Sequence, residues 1–433
     1  MNLYLISLGC DKNLVDSQTM IGQLQAAGHS LVDEIDEADA AIVNTCCFIE
    51  SAKEESIAAV LEMIREKEAG RLSAVVMAGC MAKRYREEIA DSLPEVDALI
   101  DTDSIARAAE ILGGLGLPDT KKTEAESFAL TTPSYYAYIK IAEGCDKHCT
   151  YCVIPSIRGP YRSLPEREIL SEARRKVAEG ARELILIAQE TTLYGADRGE
   201  KRIVPLLEEL CATSGADWIR LMYCYPEEVT DELIACMAAH PQICHYIDLP
   251  VQHASDRILK AMGRRTDRKQ IEAVVAKLRA AMPDIAIRTT LITGFPGESE
   301  EDHQELLDFV RRMRFERLGV FTYSREEGTP AAGLPGQIDE ILKQRRQAEL
   351  YEAQQEIVFA ANEALIGREM EVLIEGQLAE EKDTYAGRSY RDAPDVDGMV
   401  FVESGRPLES GMLIQTVITE ASGYDLIAKE TTP

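Results

Sequence analysis

Along the first quarter of the chain, short apolar runs alternate with longer stretches whose apolar residues recur at helical spacing. Leu3–Leu8, Ala40–Asn44, Ala74–Ala78 and Ala98–Ile100 read as strands, since unbroken apolar runs suit a sheet covered on both faces. Leu14–Ala27, Ser51–Glu68, Lys83–Asp91 and Ile105–Leu112 carry the helical pattern between them. This alternation predicts parallel pairing and a doubly wound sheet over 1–115. The glycine-, proline- and polar-rich stretch at 116–134 then reads as a linker.

The alternation resumes near Tyr135. Tyr138–Ile141, Leu184–Ala188, Trp218–Met222, Tyr246–Leu249, Ala286–Ile292 and Leu318–Thr322 are the strands it predicts, with helices such as Glu166–Glu179, Arg268–Ala281 and Glu300–Arg314 between them. Repeated βα units over 135–335 suit a partial (β/α)6 barrel, which would place its chemistry at the C-terminal ends of the strands. A polar helical connector is expected over 336–365. Beyond it the runs shorten to Met370–Ile374, Tyr385–Arg388, Met399–Val402, Leu413–Ile418 and Tyr424–Ile427, separated by turn pairs such as Asp397-Gly398 and Ser410-Gly411. That pattern predicts a small all-β barrel over 366–433. The fold class is α/β with an all-β tail.

Composition narrows the function more than the fold. A chain of 433 residues is too long for one core, and 45% hydrophobic residues let each domain fold without disulfide staples. No apolar run approaches the roughly 20 residues that span a bilayer. Leu3–Leu8 is broken by Asp11 and Lys12 and lacks a basic flank, so it reads as a strand rather than a signal peptide. A cytoplasmic protein without a membrane segment is expected. The formal charge of −28, from 47 basic and 75 acidic residues, argues against broad binding to nucleic acid.

Eleven cysteines are many for a reducing compartment, and their placement gives them meaning. Cys145, Cys149 and Cys152 crowd one loop directly after the first barrel strand. Three thiolates can hold three irons of a four-iron cluster and leave the fourth open to a small molecule, as catalytic metal sites keep a position open. A structural zinc knuckle would need a fourth ligand, and His148, inside the loop, is poorly placed to supply it. Cys10, Cys46 and Cys80 each follow a predicted strand of the first domain, and parallel strands converge at their C-terminal ends. A second three-thiolate site is therefore expected there. Cys47 competes with Cys46, but Cys46 shares the strand-plus-turn offset of the other two. Cys47 and the remaining cysteines, Cys211, Cys224, Cys236 and Cys244, read as small buried hydrophobes.

These motifs resemble the radical S-adenosylmethionine (SAM) methylthiotransferases. Cys145, Cys149 and Cys152 match the radical SAM signature, Cys10, Cys46 and Cys80 match the family's N-terminal domain, and the tail resembles its TRAM domain. The resemblance implies two four-iron, four-sulfur clusters and SAM as cofactors. The triplet Cys145, Cys149 and Cys152 would cleave SAM and generate an adenosyl radical. The N-terminal triplet would handle the inserted sulfur, and a second SAM would supply the methyl group. The stretches 7–17, 249–255, 294–298 and 387–398 are similar to the RimO-type branch. Asp11 stands where that branch more often has proline, and Cys47 where it more often has glycine. The branch modifies the β-carbon of an aspartate in the small-subunit ribosomal protein S-twelve, whereas its MiaB-like sister branch modifies adenosine in tRNA. Residues 366–433 hold 14 acidic and 6 basic residues, which suits a basic protein substrate better than tRNA. A sulfur donor and an electron donor are implied as further partners.

Several residues are candidate SAM contacts. Tyr151 could stack on adenine, Gln189 and Glu190 (with Thr191) could accept from the methionine ammonium, and Gly294 could admit the adenosine. Arg158 and Arg288 are alternative partners for the SAM carboxylate. His253 remains unassigned. The competing reading from another class is an iron–sulfur electron carrier that binds no SAM.

Overall fold

The computed structural model describes residues 1–116, 133–379 and 381–431. The linker expected over 116–134 lies almost wholly outside these residues. The described chain divides into two compact units. One holds residues 1–116, 143–161 and 324–332; the other holds 133–142, 162–323 and 333–431.

The first unit is built on five strands, β1 (Asn2–Ser7), β2 (Ser30–Val32), β3 (Ala40–Thr45), β4 (Ala74–Gly79) and β5 (Ala98–Asp101). They lie in the order β2-β1-β3-β4-β5, every pair parallel. Its helices are α1 (Asp11–Ala26), α2 (Glu50–Glu68), α3 (Cys80–Arg84), α4 (Arg86–Ser92), α5 (Ala108–Gly113) and α6 (Ile154–Arg158). β3 and β4 are buried along their whole length, as their unbroken apolar runs require. One core lies on each face of the sheet. The first gathers Val43, Val60, Met63 and Met77, and the second gathers Leu3, Met20, Leu24, Ile42 and Val76.

The remaining strands belong to the second unit, apart from Glu143 of β7. β6 (Tyr136–Lys140) is followed by the two-residue strands β7 (Ala142–Glu143) and β8 (Arg162–Ser163). Then come β9 (Glu183–Ile187), β10 (Trp218–Leu221), β11 (Ile243–Asp248), β12 (Ala286–Thr293) and β13 (Arg317–Thr322). β6 and β9 to β13 form a parallel sheet in sequence order that does not close on itself, the arrangement of an incomplete barrel. The connecting helices are α7 (Glu166–Ala178), α8 (Ile203–Thr213), α9 (Asp231–Ala239), α10 (Asp256–Ala261), α11 (Arg268–Ala281) and α12 (Glu300–Met313). Side-chain capping boxes start α11 at Asp267 and α12 at Ser299. A long helix, α13 (Glu340–Glu363), follows. The tail closes into a five-stranded barrel of β14 (Glu369–Gln377), β15 (Thr384–Ser389), β16 (Val400–Glu403), β17 (Leu413–Ser422) and β18 (Asp425–Glu430). Among the described residues, no helix is long and apolar enough to cross a membrane.

Within this second unit the end of β15 and the loop after it bind the N-terminal side of the open barrel's strands. Arg388 reaches Glu183, the first residue of β9, at 2.8 Å. Arg317, the first residue of β13, donates to Asp392 at 3.0 Å, and the Tyr246 hydroxyl donates to Asp397 at 2.7 Å. By the general rule for such barrels this is the structural end, opposite the chemistry.

Candidate functional site

Each cysteine of the first triplet stands where a parallel strand gives way to a turn or helix. Cys10 caps α1, Cys46 directly follows β3, and Cys80 opens α3. The sheet brings them together: Cys46 and Cys80 each feel the charge of Cys10 and of Arg158, and Cys80 also that of Cys46. Gly9, beside Cys10, lies so close to Cys46 that an added Cβ would stand 2.6 Å from the Cys46 Cβ. Burial pushes the Cys80 thiol up to about 12 against the pull of Arg158, and raises Cys46 as well. Metal binding would have to remove these protons, since thiols ligate metals in their ionised form. Cys47 differs in its surroundings. Its thiol is raised to about 12 by burial, and the charge that opposes this is Arg84, whose guanidinium also donates to the Cys47 carbonyl at 3.0 Å.

Behind the triplet runs a polar lining on α1. Asn13, Asp16 and Ser17 are buried on the helix face that continues as Met20, Ile21 and Leu24. Asn44 donates to Ser17 at 2.7 Å and to the Asn13 carbonyl at 2.8 Å. In the sequence Asn13, Asp16 and Ser17 are singled out only as part of the stretch 7–17, with no site role. Their signal was available, because polar side chains at i, i+3 and i+4 on an otherwise buried stripe mark a polar site beneath a helix.

The second triplet sits in the same unit. Its loop closes through the Cys145 amide, which donates to the Gly159 carbonyl at 3.1 Å, and the Cys152 amide, which donates to Cys149 at 3.0 Å. The Ala331 amide donates to the Thr150 carbonyl at 2.9 Å. Beyond Cys152, Val153 and Ile157 pack into the core that also holds Cys80 and Met81. His148 is exposed and has left-handed backbone (φ 51°), and Tyr151 is half-buried. Among the described residues, no group of three His, Cys, Asp or Glu side chains is arranged to hold a metal ion. A four-iron cluster spreads its thiolates over separate corners of a cube, so its ligands need not crowd one ion. All-sulfur donor sets, three thiols each, fit such a cluster.

The candidate SAM contacts of the second unit follow its strands. Gln189 is partly exposed after β9. Glu190 is buried and accepts from the Thr192 amide at 3.1 Å and from its hydroxyl. Gly294 follows β12 with φ 74°, and a Cβ there would strike the Lys343 side chain at 2.3 Å. The close approach it permits is thus to the stem of Lys343. Its amide donates to Glu298 at 2.7 Å, and that carboxylate also takes Arg346 at 2.9 Å. His253, left unassigned from sequence, is fully buried, with its Nδ1 accepting from the Ser255 amide at 3.0 Å. Both arginines weighed for the SAM carboxylate make ion pairs within the chain. Arg288 pairs with Asp248 at 3.2 Å and Asp397 at 3.4 Å, and Arg158 pairs with Asp16.

Family models match three successive stretches of the chain. The uncharacterized protein family UPF0004 matches residues 2–101, the radical SAM superfamily 139–310 and the TRAM domain 366–430. Ribosomal protein uS12 methylthiotransferase RimO from Lachnoclostridium phytofermentans is 52% identical over 437 residues, covering 99% of each chain. The protein of the same name from Geobacter sulfurreducens is 47% identical, covering 98% of this chain and 97% of its own. The chain belongs to the RimO family of radical SAM methylthiotransferases. Family membership makes it a transferase and implies SAM and a four-iron cluster. Among solved structures, the radical SAM methyltransferase TsrM from Kitasatospora setae, with cobalamin and a 4Fe-4S cluster bound, superposes with a TM-score of 0.56 at 14% identity, covering 76% of each chain. The cobalamin-dependent radical enzyme OxsB gives 0.52 at 13% identity, covering 81% of this chain and 56% of its own. At these identities the likeness is one of fold.

Proposed function

We propose that this protein adds a methylthio group to the β-carbon of an aspartate in ribosomal protein uS12. In this reading Cys10, Cys46 and Cys80 hold one four-iron cluster, and Cys145, Cys149 and Cys152 hold another. When bound, these groups and SAM would supply reductive sulfonium cleavage, hydrogen abstraction and a transferable sulfur.

One observation carries the proposal: both cysteine sets belong to one compact unit. The segment after Cys152 packs into the core beneath Cys80, so the chain holds the two sets in fixed register. Its own residues perform positioning and screening. Burial keeps solvent from Cys46 and Cys80, and Asn13 and Asn44 fix the backbone between β1 and β3. Tyr151, Gln189, Glu190 and Gly294 are proposed SAM contacts.

The tail favours a protein substrate. Of its 6 basic residues, Arg388 and Arg391 are buried, which leaves little cation for a phosphate backbone. A ribosomal substrate would place the enzyme in the cytoplasm, with a sulfur donor and an electron donor as partners. Reconstituted enzyme incubated with SAM, reductant, sulfide and either uS12 or tRNA, then read by mass spectrometry, tests the reading. A methylthio mass on an aspartate of uS12 is expected. The same mass on tRNA adenosine alone would overturn it.

A further inference from the structure

Arg158 lies six positions after Cys152, yet its side chain serves the other triplet. Its guanidinium is buried, with 2% of the side chain exposed. One terminal nitrogen donates to Asp16 and lies 3.5 Å from Glu143. The other donates to the Cys80 sulfur at 3.2 Å and to the Asn13 oxygen at 3.4 Å. Asn13 is itself fixed, because its amide donates to the Leu8 carbonyl at 2.6 Å and to the Thr45 carbonyl at 3.3 Å. Arg158 is thus clamped on both nitrogens, and one clamp point is a proposed ligand sulfur.

We propose that Arg158 is a positioning residue that hydrogen-bonds the Cys80 sulfur of the N-terminal cluster and raises that cluster's reduction potential. The inference rests on the reading that Cys10, Cys46 and Cys80 ligate iron. Hydrogen bonds to ligand sulfurs and nearby positive charge both stabilise the more negative, reduced state of an iron–sulfur cluster. A guanidinium does this well, since it stays charged at any working pH and its planar fork serves two partners at once. Asp16 and Glu143 offset part of its charge, but they meet the other terminal nitrogen. The hydrogen bond to sulfur is left intact.

The test uses the full chain with Cys145, Cys149 and Cys152 changed to Ala, so that only the N-terminal cluster forms. Iron content, circular dichroism and the cluster's midpoint potential are measured with Arg158 intact, as Arg158→Lys and as Arg158→Gln. The glutamine variant is expected to keep its iron and to show a roughly tenfold lower reduced-to-oxidised ratio at a fixed potential, about 59 mV for one electron. Lysine keeps a cation opposite Asp16 but loses the fork, so it should fall between the two. It carries the test should the neutral variant fail to fold. An unchanged potential in folded, iron-loaded Arg158→Lys and Arg158→Gln chains would overturn the inference and leave Arg158 a purely structural ion pair. Absence of iron from the chain with Arg158 intact would instead overturn the cluster assignment on which the inference rests.

Discussion

Gly79→Ala tests how tightly the fold holds Cys80. Gly79 ends β4 at φ 87° and ψ −149°, a region that only glycine enters readily and that costs another residue about 1–3 kcal/mol. An added Cβ would also stand 2.2 Å from the Asn44 side-chain oxygen and 2.6 Å from the Thr45 carbonyl oxygen. Asn44 could rotate only by giving up its bonds to Asn13 and Ser17. The Thr45 carbonyl belongs to the strand paired with β4 and cannot retreat without opening that ladder. Gly70→Ala is the control. Gly70 follows α2 at φ 75° with nothing within 4 Å of the added Cβ, so alanine there carries the backbone cost alone, about 1 kcal/mol. Gly79→Ala should cost about 3 kcal/mol, and the difference of about 2 kcal/mol measures the close approach. The single tryptophan, Trp218, lies in β10 and reports on the other unit, so hydrogen exchange at β3 and β4 is the suitable assay. Amides there should exchange roughly 150-fold faster in Gly79→Ala, against a few-fold in Gly70→Ala. Equal protection in the two variants would refute the claim that backbone contact at Gly79 fixes the start of α3.

Other perturbations follow from the same physics. Changing Cys47 to Ala should leave iron content unchanged, whereas Cys46→Ala should remove the N-terminal cluster's share of roughly eight irons; iron assay separates the neighbours. Arg317→Met leaves the buried Asp392 carboxylate without its cation and should destabilise the second unit by about 3 kcal/mol, read by tryptophan fluorescence in urea. Asp302 has its carboxyl pushed up by burial, but hydrogen bonds from Ser255, Ser299 and Arg257 outweigh this and hold it at about 2. A lowered folded value stabilises above the unfolded carboxylate range and is lost as pH falls toward 2. Asp302→Asn should therefore flatten the fall in stability between about pH 4 and pH 2.

The sequence revealed those features that depend on local pattern. Runs such as Ala40–Asn44 and Ala74–Ala78 could only be buried strands, and Cys46 and Cys80 stood at their ends by simple counting. β2 escaped notice because a three-residue edge strand has no room for a pattern. The helix expected over Lys83–Asp91 is two helices that part at Tyr85, whose ψ of 32° departs from helical geometry without any Gly or Pro to announce it. The arginines were the least legible. Arg158 and Arg288 have the right chemistry for a carboxylate, but their partners Asp16, Asp248 and Asp397 lie at least 40 positions away. The loop at 387–398 stood out as wording typical of a family, while its role in binding the strand starts of the open barrel emerged only from the fold.

The account depends on a division of labour between the two sets of cysteines, and the variant with Cys10, Cys46 and Cys80 all changed to Ala tests it most directly. Reduced and supplied with SAM and uS12, this variant should still cleave SAM and release 5′-deoxyadenosine while adding no methylthio mass to the substrate. Methylthiolated uS12 from that variant would contradict the account.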